Sequence, residues 1–369
     1  KGMTDPICNW LLAALTGRPL PAPVPDADAV VAAARDDGVL CLLERQLAVH
    51  PQTASLPESL SSIIAGQARI DAFEALALLA EQRRVFALLN ATGVEYLVLK
   101  GGALAHWLYE SPHLRLLTDL DLLLPDRASV DALEGLLVEL GYVPVVLNPV
   151  ANERTFRRAG GPHGHFIVDA HWHLFNRSLL RGSFSYAELQ AESIPLPDCA
   201  GARGLSPTHA LFNAVGHRAL SLPHRYLRGI QRADSLRWLW DIHALLRRCD
   251  AAAWQRLQSL AGEKRWSALL LDAAKQAQSH LATAIPQYWL EAMAAQAGKE
   301  PMRMRWFSSL PHYHWREFLA SDSAWRGRWA WLVRRVWPDP AWLQHYYGGG
   351  SLRAAWPQRL WAGIRRLFG

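Results

Sequence analysis

The chain has 369 residues, half of them hydrophobic and a fifth charged. This length and composition can bury a sizeable core in one or two domains, which excludes a disordered chain, a collagen-like fibre and a disulfide scaffold. No run of 18 predominantly apolar residues predicts a membrane span. The four cysteines show no CxxC spacing, and no signal peptide is visible. We therefore expect a cytoplasmic protein.

The positive charge is concentrated in one segment. Residues 301–369 hold 11 arginines, three acidic residues and nine of the 17 tryptophans, whereas residues 1–300 carry a net charge of −2. Interleaved tryptophan and arginine suits an anionic membrane surface, single-stranded nucleic acid, or a cationic helical cap on the body. The sequence leaves all three interpretations of this tail open.

Hydrophobic periodicity predicts the elements in chain order. Residues 4–92 are predicted to be helical, and a strand, Val94–Leu99, then leads to a double glycine. Further elements are predicted as a helix over Ala103–Glu110, a strand over Leu116–Leu124, a helix over Asp126–Gly141, strands over Val143–Leu147, Thr155–Arg158 and His165–His173, and helices from Ser206 onward.

These elements predict an α+β fold with a mixed-sheet core flanked by helical regions. We predict a helical N-terminal region over 1–92, the core over 93–204, a helical region walling a cleft over 205–300, and the basic helical tail over 301–369.

The segment LVLKGGALAHWLYESPHLRLLTDLDLLLP, residues 97–125, carries the chemistry. Asp119 and Asp121 are two positions apart, so on a strand they share one face, where their charges repel unless a cation lies between them. Mg²⁺, or Mn²⁺, prefers such oxygen ligands. Gly101 and Gly102 allow close approach of the backbone to a ligand, and the helix that they open offers N–H groups to a phosphate. The pattern indicates phosphoryl or nucleotidyl transfer.

Asp169, in HFIVDAHWHLF, is a third candidate carboxylate. Strand parity places His171 on the same face as Asp169, as a contact to a phosphate or to that carboxylate. Lys100 is the one lysine between positions 2 and 263 in a chain that otherwise favours arginine, which marks it as a site residue.

This pattern resembles the DNA-polymerase-β-type nucleotidyltransferase superfamily. From about residue 60 to 250 it is similar to a bacterial family of uncharacterised nucleotidyltransferases. The matching features are LKGGALA, Tyr109 followed by Arg115, TDLDLLLP, Gly141-Tyr142, VDAHWHL and LRWLWDIHALL.

The resemblance implies that Asp119 and Asp121 bind both catalytic metal ions, while Asp169 binds one and acts as base. It also implies that Gly101 and Gly102 hold a triphosphate, with Lys100 and Arg115 as nearby charge partners. The superfamily's usual Gly-Ser is Gly-Gly here, which removes one hydroxyl from the phosphate site.

Some of these residues can instead be interpreted as purely structural. Lys100 would then cap a helix or pair with Asp119, Arg115 would be a loop cation, and Asp241 is interpreted as a cap or ion-pair residue. The histidines around residues 163–173 have spacings that would suit zinc, although strand histidines more often pack or bond to a neighbour.

Three functions follow from the sequence. The first is a nucleotidyltransferase that uses an NTP or sugar-nucleotide to modify a small molecule, sugar or peptide. The second is a toxin-type enzyme acting on RNA or tRNA, which would depend on the basic tail. The third is a binding or assembly protein that retains the fold without turnover.

Overall fold

The structure is a computed structural model, and it describes residues 5–145, 153–162, 164–177, 180–227 and 234–300, with three isolated positions beyond them. The interpretations of the tail over 301–369 therefore lie outside the described residues. The α-helices are α1 (Pro6–Thr16), α2 (Ala27–Asp36), α3 (Leu40–Ala48), α4 (Glu58–Thr92), α5 (Lys100–Trp107), α6 (Arg127–Glu139), α7 (Tyr186–Ala191), α8 (Pro207–Leu227), α9 (Leu236–Leu246), α10 (Ala251–Lys264), α11 (Ser267–Leu281) and α12 (Gln287–Lys299).

The strands form one mixed seven-stranded sheet, in the order β3-β4-β5-β2-β1-β7-β6. They are β1 (Leu97–Val98), β2 (Leu120–Leu123), β3 (Val143–Pro144), β4 (Glu153–Ala159), β5 (His165–His171), β6 (Ile194–Pro195) and β7 (Arg203–Gly204). The β2–β5 and β1–β7 pairs are parallel, and the other pairs are antiparallel. The prediction of an α+β fold with a mixed-sheet core is confirmed.

The N-terminal helices follow the predicted periodicity, with one division. The segment predicted to be helical over 4–92 ends in the long helix α4, and its residues 27–48 form two helices, α2 and α3. Gly38 separates them with a φ of +68°, a left-handed conformation that interrupts a helix and that glycine adopts without strain.

The elements around the double glycine begin and end elsewhere than predicted. Strand β1 is only two residues long, and α5 begins at Lys100, so the two glycines lie in its first turn and not in a loop before it. A 3₁₀ turn over Pro112–Leu114 delays β2 until Leu120. Strand β5 ends at His171, two residues before the predicted end.

Two apolar cores lie against the sheet, and a third joins the N-terminal helices to α9. Leu122, Phe156 and Val168 belong to a core with α4 and α6, while α8 to α12 pack in the core on Leu99 and Leu123. Helices α1 to α4 share the third core with Leu239 of α9. Helix α9 is therefore held between the N-terminal helices and the C-terminal helices.

None of the helices in the described part of the chain is long and apolar enough to cross a membrane.

Candidate active site

The three predicted carboxylates lie together at one end of the paired strands β2 and β5. Asp121 is directly opposite Asp169 in the parallel register, and Asp119 immediately precedes β2. One carboxylate oxygen from each lies within 4.8 Å of those of the other two. Among the described residues they are the one group of three or more histidine, cysteine or acidic side chains arranged to hold a metal ion. Asp121 and Asp169 are 48 positions apart in the sequence, and the pairing of β2 with β5 brings them together.

Two cationic or hydrogen-bonding side chains contact the same oxygen of Asp121. The Lys100 ammonium lies 2.6 Å from Oδ1, and Nε2 of His171 lies 2.9 Å from it. Burial alone would raise the pKa of Asp121, but Lys100 and His171 together hold this pKa well below its usual range. Asp121 is therefore ionised, and its other oxygen is left for a further ligand. Lys100 pairs with Asp121 rather than with Asp119.

The pKa values of the other two carboxylates are shifted upward, in the opposite direction to that of Asp121. Burial and the charge of Asp121 raise the pKa of Asp119, and the same two causes raise the pKa of Asp169 to about 7. Thr118 Oγ1 donates to Asp119 at 2.9 Å, and Thr155 Oγ1 donates to Asp169. A site that disfavours three adjacent negative charges in this way is stabilised by a bound cation.

His171 links Asp121 to a fourth carboxylate. Its Nδ1 lies 3.3 Å from Glu153 Oε2 on the neighbouring strand β4, and Asn176 donates to the same Glu153 oxygen. Burial lowers the pKa of His171, but the hydrogen bond to Asp121 and the charge of Asp121 raise it above its usual value. The hydrogen bond of His171 within this group goes to Asp121, and the contact to a phosphate that the sequence suggests stays a prediction.

The junction of β1 and α5 brings backbone to the site. Lys100 has a φ of +48°, an uncommon conformation for a residue with a side chain, and the strain is consistent with a functional position. Gly101 lines the cleft, and a Cβ there would lie 3.1 Å from Arg115 Nη1. Gly102 faces the core instead, where a Cβ would lie 3.3 Å from Val98 Cγ1.

Arg115 is buried and fully paired. Its Nε and Nη2 donate to Asp241 of α9 at 2.9 and 2.8 Å, and its Nη1 donates to the carbonyl of Leu116 at 2.6 Å. Tyr109 donates to the same carboxylate at 2.5 Å. The interpretation of Asp241 as an ion-pair residue is confirmed. The pair connects α9 to the segment that precedes the Asp-Leu-Asp strand.

Helices α8 and α9 also contribute to the cleft. Asn213, His217, Arg237 and Trp238 line it together with Asp119 and Asp121. Sequence reasoning did not select these four residues. The signal available was that Arg237 lies four residues before Asp241 and therefore on the same face of α9.

The zinc interpretation finds no support among the described histidines, none of which belongs to a group that could hold a metal ion. His163, which that interpretation also uses, lies outside the described residues. The carboxylate group instead fits an ion that prefers oxygen, such as Mg²⁺ or Mn²⁺, because all of its donor atoms are hard oxygens.

A mixed sheet that brings three carboxylates together beside a strand–glycine–helix junction is typical of nucleotidyltransferases. The chain belongs to a family of uncharacterised nucleotidyltransferases, and the model of this family matches residues 23–282. The resemblance noted in the sequence is thereby confirmed, and the match extends beyond residues 60–250 on both sides. No curated protein matches the chain.

Proposed function

We propose that the protein is a metal-dependent nucleotidyltransferase that moves a nucleotidyl group from an NTP or sugar-nucleotide to a hydroxyl or similar group on a small molecule, sugar or peptide. The observation that carries the proposal is the grouping of Asp119, Asp121 and Asp169, whose oxygens approach within 4.8 Å of one another. The slightly negative charge of residues 1–300 favours a small acceptor over a nucleic acid.

Asp119, Asp121 and Asp169 would hold Mg²⁺ or Mn²⁺, and Asp121 has one oxygen that neither Lys100 nor His171 occupies. When bound, such an ion polarises a phosphoryl oxygen and offsets developing negative charge. His171 and Lys100 keep Asp121 ionised and fix its orientation.

Asp169 is proposed as the base for the acceptor hydroxyl. Asp169 lies directly opposite Asp121 in the parallel pairing of β2 with β5, which places a carboxylate at the site where the acceptor hydroxyl must lose its proton. The acceptor oxygen would form a bond to the α-phosphorus as the bond from that phosphorus to the β-phosphate oxygen breaks. With an NTP donor, pyrophosphate then leaves with the electron pair, whereas a sugar-nucleotide donor releases the sugar phosphate. In both cases the hydroxyl proton passes to Asp169.

Lys100 and the N–H groups of Gly101 and Gly102 are proposed to bind the phosphates, because they lie at the start of α5 beside the carboxylates. Arg115 lies against Gly101 but is neutralised by Asp241. We therefore assign Arg115 to holding the glycine junction in place, and His171 to orienting Asp121.

The test is release of pyrophosphate from each of the four NTPs, with Mg²⁺ and with pools of hydroxylated acceptors such as sugars, aminoglycosides and serine peptides. We expect Asp121→Asn to lower the rate at least about 100-fold, because several kcal/mol of charge stabilisation is lost. Asp36→Asn is the matched control, since Asp36 is exposed. Equal rates for wild type and Asp121→Asn would contradict the proposal.

A further inference from the structure

Two arginines line the cleft, and their surroundings differ. Arg115 donates to both oxygens of Asp241 and to a backbone carbonyl. Arg237, one turn before Asp241 on α9, has a buried Nε with no hydrogen-bond partner. No described carboxylate lies close enough to form an ion pair with it, although the charges of Asp241 and Asp119 favour its charged form. The buried Arg218 on α8 follows the pattern of Arg115, because Asp234 and Asp272 both pair with it.

An unpaired guanidinium in this position is unfavourable in the absence of a ligand. Burial and the charge of Arg115 lower the pKa of Arg237 to about 10, which is still high enough to keep it charged at neutral pH. Arg237 is half-buried, and withdrawing its Nε from water without a hydrogen-bond partner costs free energy. An arginine in this environment is suited to bind an anionic group of a ligand.

The surrounding residues form a built pocket around Arg237. Asn213 is 3% exposed and lines the same cleft. Gly38, which separates α2 from α3, lies close to Arg237. A Cβ at position 38 would be 3.1 Å from Arg237 Cδ, so glycine leaves room for the arginine side chain. Three separate parts of the chain therefore shape this pocket.

We propose that Arg237 binds a phosphate of the donor nucleotide beyond the α-phosphate, in the cleft that Asp119 and Asp121 also line. A guanidinium presents a planar fork of donors that matches phosphate oxygens, and the contact is charge-assisted. This inference rests on the proposed function, because it requires a nucleotide in the cleft. It assigns to Arg237 the direct phosphate contact that the sequence suggested for Arg115.

The experiment compares Arg237→Gln, Arg237→Lys and wild type by calorimetric titration with the four NTPs and the four NMPs in the presence of Mg²⁺. We expect Arg237→Gln to weaken NTP binding roughly 10- to 100-fold, which is the worth of a hydrogen bond to a charged group, and to leave NMP binding within about twofold. Arg237→Lys should recover part of the loss. Arg247→Gln is the matched control, since Arg247 is exposed at the end of the same helix.

The free energy of unfolding of the ligand-free variants separates a binding role from a structural one. Arg237→Gln should be as stable as wild type or more stable, because it removes a half-buried charge whose Nε has no hydrogen-bond partner. A large loss of stability would overturn the inference, as would equal losses of NTP and NMP affinity or unchanged NTP affinity. If wild type bound no nucleotide, the proposed function would fail, and this inference with it. Normal NTP binding by Arg237→Gln would overturn the inference alone.

Discussion

At the scale of single residues, the surroundings shift the pKa values of three neighbouring carboxylates in different directions. Lys100 and His171 keep Asp121 ionised, whereas burial and its neighbour raise the pKa of Asp169 to about 7. The positions of Asp119 and Asp121 could be predicted from the sequence because strand periodicity puts residues two apart on one face. Their partners could not, because Lys100 and His171 reach Asp121 only through sheet pairing.

The raised pKa of Asp169 predicts that metal affinity depends on pH. Below about pH 7 this carboxyl holds a proton that a metal ion must displace, so Mn²⁺ affinity should rise as the pH increases from 6 to 8. Thr155→Val removes a hydrogen bond to the charged form, which raises the pKa further and moves the midpoint to higher pH. Titrations followed by electron paramagnetic resonance would measure both effects.

The control is Thr92→Val, which makes the same substitution in the last turn of α4. A flat pH dependence in wild type, or the same midpoint in Thr155→Val and wild type, would contradict this account of Asp169.

At the scale of elements, α9 is held to the site by one buried ion pair. Asp241→Asn leaves Arg115 buried without a counter-charge, which should cost about 3–5 kcal/mol of unfolding free energy. Asp272→Asn is the control, because Asp272 is part-exposed and Arg218 retains Asp234. Its loss should be about 1 kcal/mol or less. Urea unfolding measures both, and losses of similar size would refute the structural role assigned to Asp241.

The elements themselves were predicted in type more reliably than in extent. The strands on either side of the double glycine were recognised from their apolar residues, but both are shorter in the structure than predicted. Strands β6 and β7 have two residues each, too few for any period to be visible, so the sequence did not reveal them. Arg237 was missed for a related reason, because the face that α9 turns to the cleft is decided by packing with distant helices.

At the scale of the whole molecule, buried neutral histidines make stability depend on pH. Burial and Arg247 lower the pKa of His243 to about 4, while its Nδ1 lies 2.8 Å from Thr283 Oγ1. The unfolded chain binds this proton near pH 6.5, so the stability due to His243 is present above that pH. It is lost as the pH falls toward 4, at up to about 1.4 kcal/mol per pH unit.

The measurement is the difference in unfolding free energy between wild type and His243→Gln at several pH values. The comparison with the variant is needed because Asp169, with its raised pKa, makes the folded chain more stable as the pH falls over part of this range. Wild type should lose stability relative to the variant as the pH falls from 6.5 to 4. A constant difference would show that His243 is not held neutral.

The central claim is that the three carboxylates form a metal-dependent nucleotide site. The most direct test is thermal unfolding of wild type and Asp119→Asn/Asp121→Asn with each NTP and several sugar-nucleotides, with and without Mg²⁺. A ligand at 100 times its dissociation constant adds about 2.7 kcal/mol to stability, which is readily measured. We predict a Mg²⁺-dependent rise in the melting temperature of wild type that the double variant lacks. An equal rise in both proteins, or no rise with any nucleotide, would contradict the claim.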